Sequence, residues 1–291
     1  MVKQQNFKRA YITAASENYL PGLKAFFNSL KKHDPGSDVI LLSCKLPQEF
    51  LNSLSKIPNK VILIETPGKN PVEETAIERF KIASEKGKEY EAVCLMEADI
   101  FLVHQVELFW QLARKGFIVV GSNGMIVNFN KEYQNRFNIH LNQDNYIYPK
   151  VHTTIPIFLP REDLDWFEKF YYTRKKNPGF DDVFGLNLLG ISMDKSERIV
   201  AMPPYTFTGI HHFGVKPETG WIKKDGLILS GTEEQVYMIH GKWWNEGWFK
   251  DLYLTMDQYF KREGMVGKAC QRSKNSIELG RRIFLEYSKD L

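Results

Sequence analysis

The residues of this chain best suited to chemistry are two carboxylates spaced two apart, directly after an apolar run. The run is Ala92–Met96, and Leu95-Met96-Glu97-Ala98-Asp99 carries acids at i and i+2. In an open α/β sheet, ligands bind beyond the carboxyl ends of the strands, which is where this pair would stand. Carboxylate oxygens suit a hard or borderline divalent cation such as Mn²⁺ or Mg²⁺. Such a cation can bridge two phosphates and neutralise charge on a departing diphosphate. Acid-x-acid pairs are common on surfaces; the buried-type strand in front of this one singles it out.

Three further groups bear on the same chemistry. Val236-Tyr237-Met238-Ile239-His240-Gly241-Lys242-Trp243-Trp244 is an apolar strand ending in a nitrogen ligand, a glycine and a cation. His240 can serve a metal, Gly241 lets backbone approach closely, and Lys242 can pair with a phosphate. Arg79 and Lys81 lie on the helix before the acidic strand, within reach of phosphates or a sugar, although Glu78, Glu85, Lys86 and Lys88 also fit a solvated helix face. Asp181-Asp182 precedes a helix containing Asn187; such a carboxylate is a helix cap, or a group acting on a sugar hydroxyl or the reacting centre. Trp221, Trp243, Trp244, Trp248, Phe249 and Tyr253 crowd the last third, as core or as faces for sugar rings.

These residues need a scaffold, and the first hundred residues supply one. Strands are expected at Ala10–Ala15, Val39–Leu42, Val61–Ile64 and Ala92–Met96. Helices are expected at Leu20–Lys32, Gln48–Lys56 and Glu73–Lys86 between them. This alternation predicts an α/β fold with a mostly parallel sheet flanked by helices. After Asp99, helices are expected at Val106–Lys115, Arg161–Lys175 and Asp182–Leu189, and strands at Phe117–Gly121 and Ile155–Leu159. His140–Thr154 reads as polar with turn residues, Pro203–Phe249 as loops around a site, and Ile277–Tyr287 as a basic terminal helix. With no repeat or low-complexity linker, one domain is expected over residues 1–291.

Two common nucleotide-binding signatures are missing. Thr13-Ala14-Ala15-Ser16-Glu17-Asn18 stands where a Gly-x-Gly-x-x-Gly turn would follow the first strand, and no phosphate-loop Gly-Lys-Ser/Thr occurs. A net charge of +4 is well short of a nucleic-acid-binding protein. Three cysteines at wide spacing form no disulfide framework or zinc site. With no apolar leader and no membrane-length run, a soluble cytoplasmic protein is expected.

Together the segments resemble glycosyltransferase family eight, the glycogenin-like and bacterial galactosyltransferase-like retaining enzymes of the GT-A fold. Ala10–Leu30 is similar to that family's opening strand, nucleotide-contacting turn and Tyr-x-x-Gly-led helix. Glu97-Ala98-Asp99 stands where the family has Asp-x-Asp, Asp182 to Asn187 resembles Asp-Gln-Gly-x-x-Asn, and Met202-Pro203 the Leu-Pro after it. His240-Gly241-Lys242-Trp243 resembles a shortened His-x-x-Gly-x-x-Lys-Pro-Trp. The rival segment His211–Pro217 has a similar pattern, and His240 is preferred over His212 because an apolar strand precedes it and Trp follows the lysine.

The resemblance implies roles residue by residue. Thr13, Ala14, Ala15, Ser16 and Tyr19 would line the nucleoside pocket. Arg79 and Lys81 would contact diphosphate or donor sugar, beside Ala98 of the acidic motif. Glu97, Asp99 and His240 would hold Mn²⁺ or Mg²⁺. Asp182 would contact the donor sugar near the reacting carbon, and Lys242 would hold the leaving diphosphate; an inverting relative would instead use Asp181 or Asp182 as general base on the acceptor hydroxyl. The implied activity is transfer of a hexose or pentose from a nucleotide sugar, UDP-linked by family likeness, to a glycan or other hydroxyl acceptor. Residues 1–103 would bind nucleotide, 104–260 the acceptor, and 261–291 would form a basic helical segment able to touch an anionic surface. The alternatives are a non-catalytic sugar-nucleotide or carbohydrate-binding protein of the same fold and, more remotely, a nucleotidyltransferase, which would need a Gly-rich basic loop at the first strand.

Overall fold

A computed structural model describes residues 7–66, 71–122, 125–149, 152–207, 221–264 and 267–291. Its centre is a seven-stranded sheet. In spatial order the strands are Ile199–Met202, Ile118–Ser122, His152–Pro160, Ala92–Leu95, Arg9–Ser16, Asp38–Cys44 and Val61–Glu65. Every neighbouring pair is parallel except the two made by His152–Pro160, which runs against both its neighbours. The expected mostly parallel α/β sheet is therefore what forms.

The inner strands Ala92–Leu95 and Asp38–Cys44 and most of Arg9–Ser16 are buried, as parallel strands are when helices cover both sides, while the edge strand Val61–Glu65 is partly open. Tyr11 points to one face, where its ring meets Phe26 of helix Leu20–His33 and Trp110 of helix Glu107–Arg114. Helices Pro71–Lys86 and Leu164–Lys176 pack on each other through Phe80 against Phe167 and Phe170. At one end of the first strand the buried Asp34 carboxylate takes Arg9 Nη2 at 2.6 Å and, at 2.8 Å each, the Tyr11 hydroxyl, Ser37 Oγ and Trp110 Nε1. This closed network ties strand and helices together at the end away from Ser16.

Two parts differ from the sequence expectation. Between Phe117 and Leu159 the chain adds a small ladder, Val127–Asn130 against Asn145–Tyr148, with helix Lys131–Phe137 between them. The second strand falls in the stretch read as polar with turns. Its outward residues are polar or exposed, so its apolar period was too weak to see. Pro203–Phe249 is also more than loops. It ends in strand Met238–His240 and the start of the 18-residue helix Glu246–Glu263. That helix and Lys268–Tyr287 enclose a second apolar cluster with Phe101, Trp221, Trp243, Phe249, Ile283 and Phe284. Trp221 and Trp243 are buried core rings, not open sugar platforms.

Candidate active site

Register explains how the site is gathered. Ile12 pairs with Leu95, so Thr13–Ser16 and Met96–Asp99 leave the same end of the sheet side by side. A tight turn closes with Ile100 N donating to Glu97 O. The short strand Ile100–Leu102 then pairs antiparallel with Met238–His240, setting His240 opposite Ile100. Gly241 N donates to Asp99 O at 3.0 Å, which fastens the two segments beside the acids. Ser29 Oγ accepts from Leu102 N at 3.0 Å and holds the ladder on helix Leu20–His33.

The three polar side chains converge. His240 Nε2 lies 3.1 Å from Glu97 Oε2 and 3.2 Å from Asp99 Oδ1. One ligand atom from each falls within 4.8 Å of the others, a donor set that fits a divalent cation. Asp99 and His240 are buried, and Glu97 is open to solvent along one side. Burial works against a charged imidazole here, but Asp99 and then Glu97 outweigh it and push the His240 pKa up to about 10. Two carboxylates held this close favour a positive partner, and a protonated His240 serves as one here.

Cationic side chains frame the cluster. Arg79, 5% exposed, places Nη2 3.4 Å from Glu97 Oε1, and its buried Nε makes no hydrogen bond. Lys242 lies with its ammonium 5.2 Å from the Tyr19 ring centre. The Tyr19 side chain raises the Lys242 pKa first, burial opposes this, and Asp99 and Glu97 add to it. Asp182 stands on the open rim, in the fields of Arg79 and Glu97. Solvent reaches its carboxyl, while surrounding protein atoms push its pKa upward against Arg79.

Other expected residues lie as follows. Thr13 and Ala15 are buried, and Ala14, Ser16 and Tyr19 are partly open. Lys81 does not join Arg79 at the acids. Positions two apart on a helix point about 200° away from each other, and Lys81 lies 5.9 Å from the Tyr171 ring and 4.0 Å from Glu85. Asp181 caps the following helix: Oδ1 accepts from Val183 N at 2.9 Å and Phe184 N at 2.6 Å, and Oδ2 accepts from the Tyr133 hydroxyl at 3.2 Å. Asn187 Nδ2 donates to Val183 O. His212 lies outside the described residues.

Gly22, the glycine of the Tyr-x-x-Gly that opens the first helix, was given no role in the sequence reading. A side chain on Gly22 would meet Ala98 O at 2.6 Å and the Trp244 ring at 2.7 Å, so helix Leu20–His33 begins hard against the acidic turn. Trp244 also packs edge-on to Tyr19. The signal was a glycine in the first turn of an otherwise strong helix, where glycine costs stability unless something approaches closely.

No protein-family model matches the sequence, and no curated protein matches it. Solved structures do. The WbbM bifunctional glycosyltransferase, in its apo form, aligns with a TM-score of 0.53 at 13% identity, over 90% of this chain and 53% of its own. The glycosyltransferase GlyE of Streptococcus pneumoniae TIGR4 aligns at 0.50 and 12%, over 88% of this chain and 64% of its own. The galactosyltransferase LgtC, in complex with donor and acceptor sugar analogues, aligns at 0.50 and 10%, over 86% of this chain and 95% of its own. The fold is GT-A. This GT-A chain spans about half the length of WbbM and under two thirds of GlyE, and nearly all of LgtC. Within the GT-A sheet the acids follow the strand Ala92–Leu95 at its carboxyl end. Among the described residues no helix is long and apolar enough to cross a membrane.

Proposed function

We propose that this chain is a metal-dependent glycosyltransferase of the family-eight type. It takes a hexose or pentose from a nucleotide sugar, with UDP as the favoured nucleotide, and delivers it to a hydroxyl of a glycan or similar acceptor with retention of configuration. The observation that carries the reading is the convergence of Glu97, Asp99 and His240 between two cations, Arg79 and Lys242, at the ligand-binding end of a GT-A sheet. Two carboxylate oxygens and an imidazole nitrogen match Mn²⁺, or Mg²⁺ with less help from the nitrogen. Bound there, the cation would neutralise a diphosphate as it leaves.

The chain's own residues supply the rest. Lys242 brings a second positive charge to the same leaving group, and the Tyr19 ring beside it limits where the ammonium can swing. Arg79 holds Glu97 in place. Asp182, on the rim, contacts the donor sugar near the reacting carbon, whereas Asp181 is engaged as a cap. Thr13–Ser16 and Tyr19 form the nucleoside side of the pocket. The whole chain acts as one GT-A domain: 1–103 holds the nucleotide, 104–260 the acceptor, and 261–291 braces the back. The buried free thiols of Cys44 and Cys94 suit a reducing cytoplasm.

The test is calorimetric binding of UDP, GDP and their sugar conjugates, with and without Mn²⁺, to wild type and Asp99→Ala. Metal-dependent binding of one nucleotide, lost in the variant, is expected. No binding of any nucleotide under any metal condition would overturn the reading in favour of a carbohydrate-binding module.

A further inference from the structure

Two side chains of one turn meet the Tyr19 ring. Lys242 and Trp244 stand two apart in the segment that carries His240 into the site. That segment is fastened at both ends: Gly241 N donates to Asp99 O at 3.0 Å, and Asn245 N donates to Lys242 O at 2.8 Å. Asn245 then caps helix Glu246–Glu263, its side chain accepting from Trp248 N at 2.8 Å. From this turn Lys242 Nζ stands 5.2 Å from the Tyr19 ring centre. The Trp244 ring meets Tyr19 edge-on, with 5.9 Å between centres and 70° between planes. Tyr19 packs on the main apolar core and Trp244 on the second cluster, so their contact joins the two.

Trp244 is itself seated. Its ring centre lies 5.8 Å from that of Phe284 on helix Lys268–Tyr287, and Gly22 leaves it room where a Cβ would come within 2.7 Å. It is only partly buried, and it lines a hollow of about 420 Å³ with Leu20, Pro21, Phe284 and Leu285.

We propose that Trp244 is a positioning residue: it fixes the Tyr19 ring and, through that ring, the ammonium of Lys242. The proposal rests on the reading that Lys242 holds a leaving diphosphate. A lysine head is a compact charge on a flexible stem, and holding a phosphate costs it rotamer freedom. A ring face beside it attracts the ammonium and narrows its range before any ligand arrives. That works only while the ring is itself fixed. Edge-to-face packing is a favoured geometry for two aromatic rings, and Trp244 gives Tyr19 that contact. The last helix thus reaches the charge on the leaving group through three rings, Phe284, Trp244 and Tyr19.

Two measurements on the full chain test this. In the ligand-free protein, reductive dimethylation with isotope-labelled formaldehyde keeps each lysine charged, and a methyl over a ring face shifts upfield in the magnetic resonance spectrum. Lys242→Arg assigns the signal. The shift should be present in wild type, lost in Trp244→Ala and largely restored in Trp244→Phe. Trp244→Leu keeps apolar bulk without a ring and should behave as Trp244→Ala does. In calorimetry of UDP with Mn²⁺, Trp244→Ala should weaken binding by about tenfold and Trp244→Phe by clearly less. Most of the Trp244→Ala loss should vanish in a Lys242→Ala background, because residues that act through one group are not additive. A Lys242 signal unmoved by both Trp244→Ala and Trp244→Leu overturns the proposal. UDP binding that falls equally in both backgrounds overturns it alone and leaves the diphosphate reading standing. A wild type that binds no UDP overturns that reading and the proposal with it.

Discussion

His240 stands opposite Ile100 in a three-residue antiparallel ladder, which puts its imidazole against the carboxylate of Asp99, the residue before Ile100. The site is thus assembled by backbone pairing between two distant segments. The acids come with the sheet, and the histidine and lysine come with a strand that the C-terminal helices press into place. Anything that loosens that ladder should loosen the site before it loosens the fold.

Gly22 gives a way to test this coupling. Gly22→Ala sets a methyl group against Ala98 O and the Trp244 ring. A backbone carbonyl cannot give way cheaply, so overpacking should cost about 1–3 kcal/mol. Thermal melting should show the loss, and metal-dependent nucleotide binding should fall more than the melting temperature alone accounts for, because Ala98 lies between the two acids. Unchanged binding would show that helix Leu20–His33 does not position the turn.

The two adjacent aspartates should separate cleanly. Asp181→Ala removes a cap that accepts two backbone N–H groups, and should cost about 1 kcal/mol of stability. Asp182→Ala should leave the melting temperature nearly unchanged and reduce sugar transfer. Steady-state rates and melts on both variants check this. Equal effects on both measures in both variants would contradict the assignment.

Much of this was legible in sequence because it rests on local periodicity. The first four strands and three helices come from apolar runs separated by turn residues, and the boundaries fall within a few residues of those expected. Glu97 and Asp99 were visible because they follow a strand with no polar residue in it. What could not be read is what depends on tertiary pairing. Arg79 and Lys81 look equivalent in a line of text, but helix geometry sends them opposite ways. Trp243 and Trp244 are neighbours in sequence, yet one is sealed against Gly280 and the other touches Tyr19. The ladder through Ile100–Leu102 is three residues long, too short for any pattern to announce.

Asp34 should be the most sensitive polar position away from the site. Its carboxylate is 3% exposed, pairs with Arg9 and accepts from three further side chains. Asp34→Ala leaves Arg9 and the Tyr11, Ser37 and Trp110 donors without it, and should cost about 3–5 kcal/mol in denaturant titration. Asp34→Asn, which keeps an acceptor, should cost clearly less. A loss below about 1 kcal/mol for Asp34→Ala would mean water replaces the network.

His33 should make stability depend on mild acid. Burial first, then Lys32 and His104, lower its pKa to about 4, and its ring meets the Tyr287 hydroxyl at 2.6 Å, where the last helix docks. An unfolded histidine titrates near 6.5, so between about 6.5 and 4 the unfolded chain binds the extra proton. The His33 contribution is therefore complete above about pH 6.5 and is lost as pH falls toward 4. Allowing for solvent screening of a partly exposed ring, the loss should be about 1–2 kcal/mol. Denaturation curves at several pH values should show that slope in wild type and a shallower one in His33→Gln.

Glu97, Asp99 and His240 should form one cation site, and Mn²⁺ titration followed by electron paramagnetic resonance tests this most directly. Wild type should bind one ion saturably, more tightly when UDP is present. Asp99→Ala and His240→Ala should each weaken binding by more than the roughly 10–100-fold typical of losing an outer-shell partner. Equal Mn²⁺ binding in all three proteins, or no saturable binding to wild type, would show that these three side chains do not form a cation site.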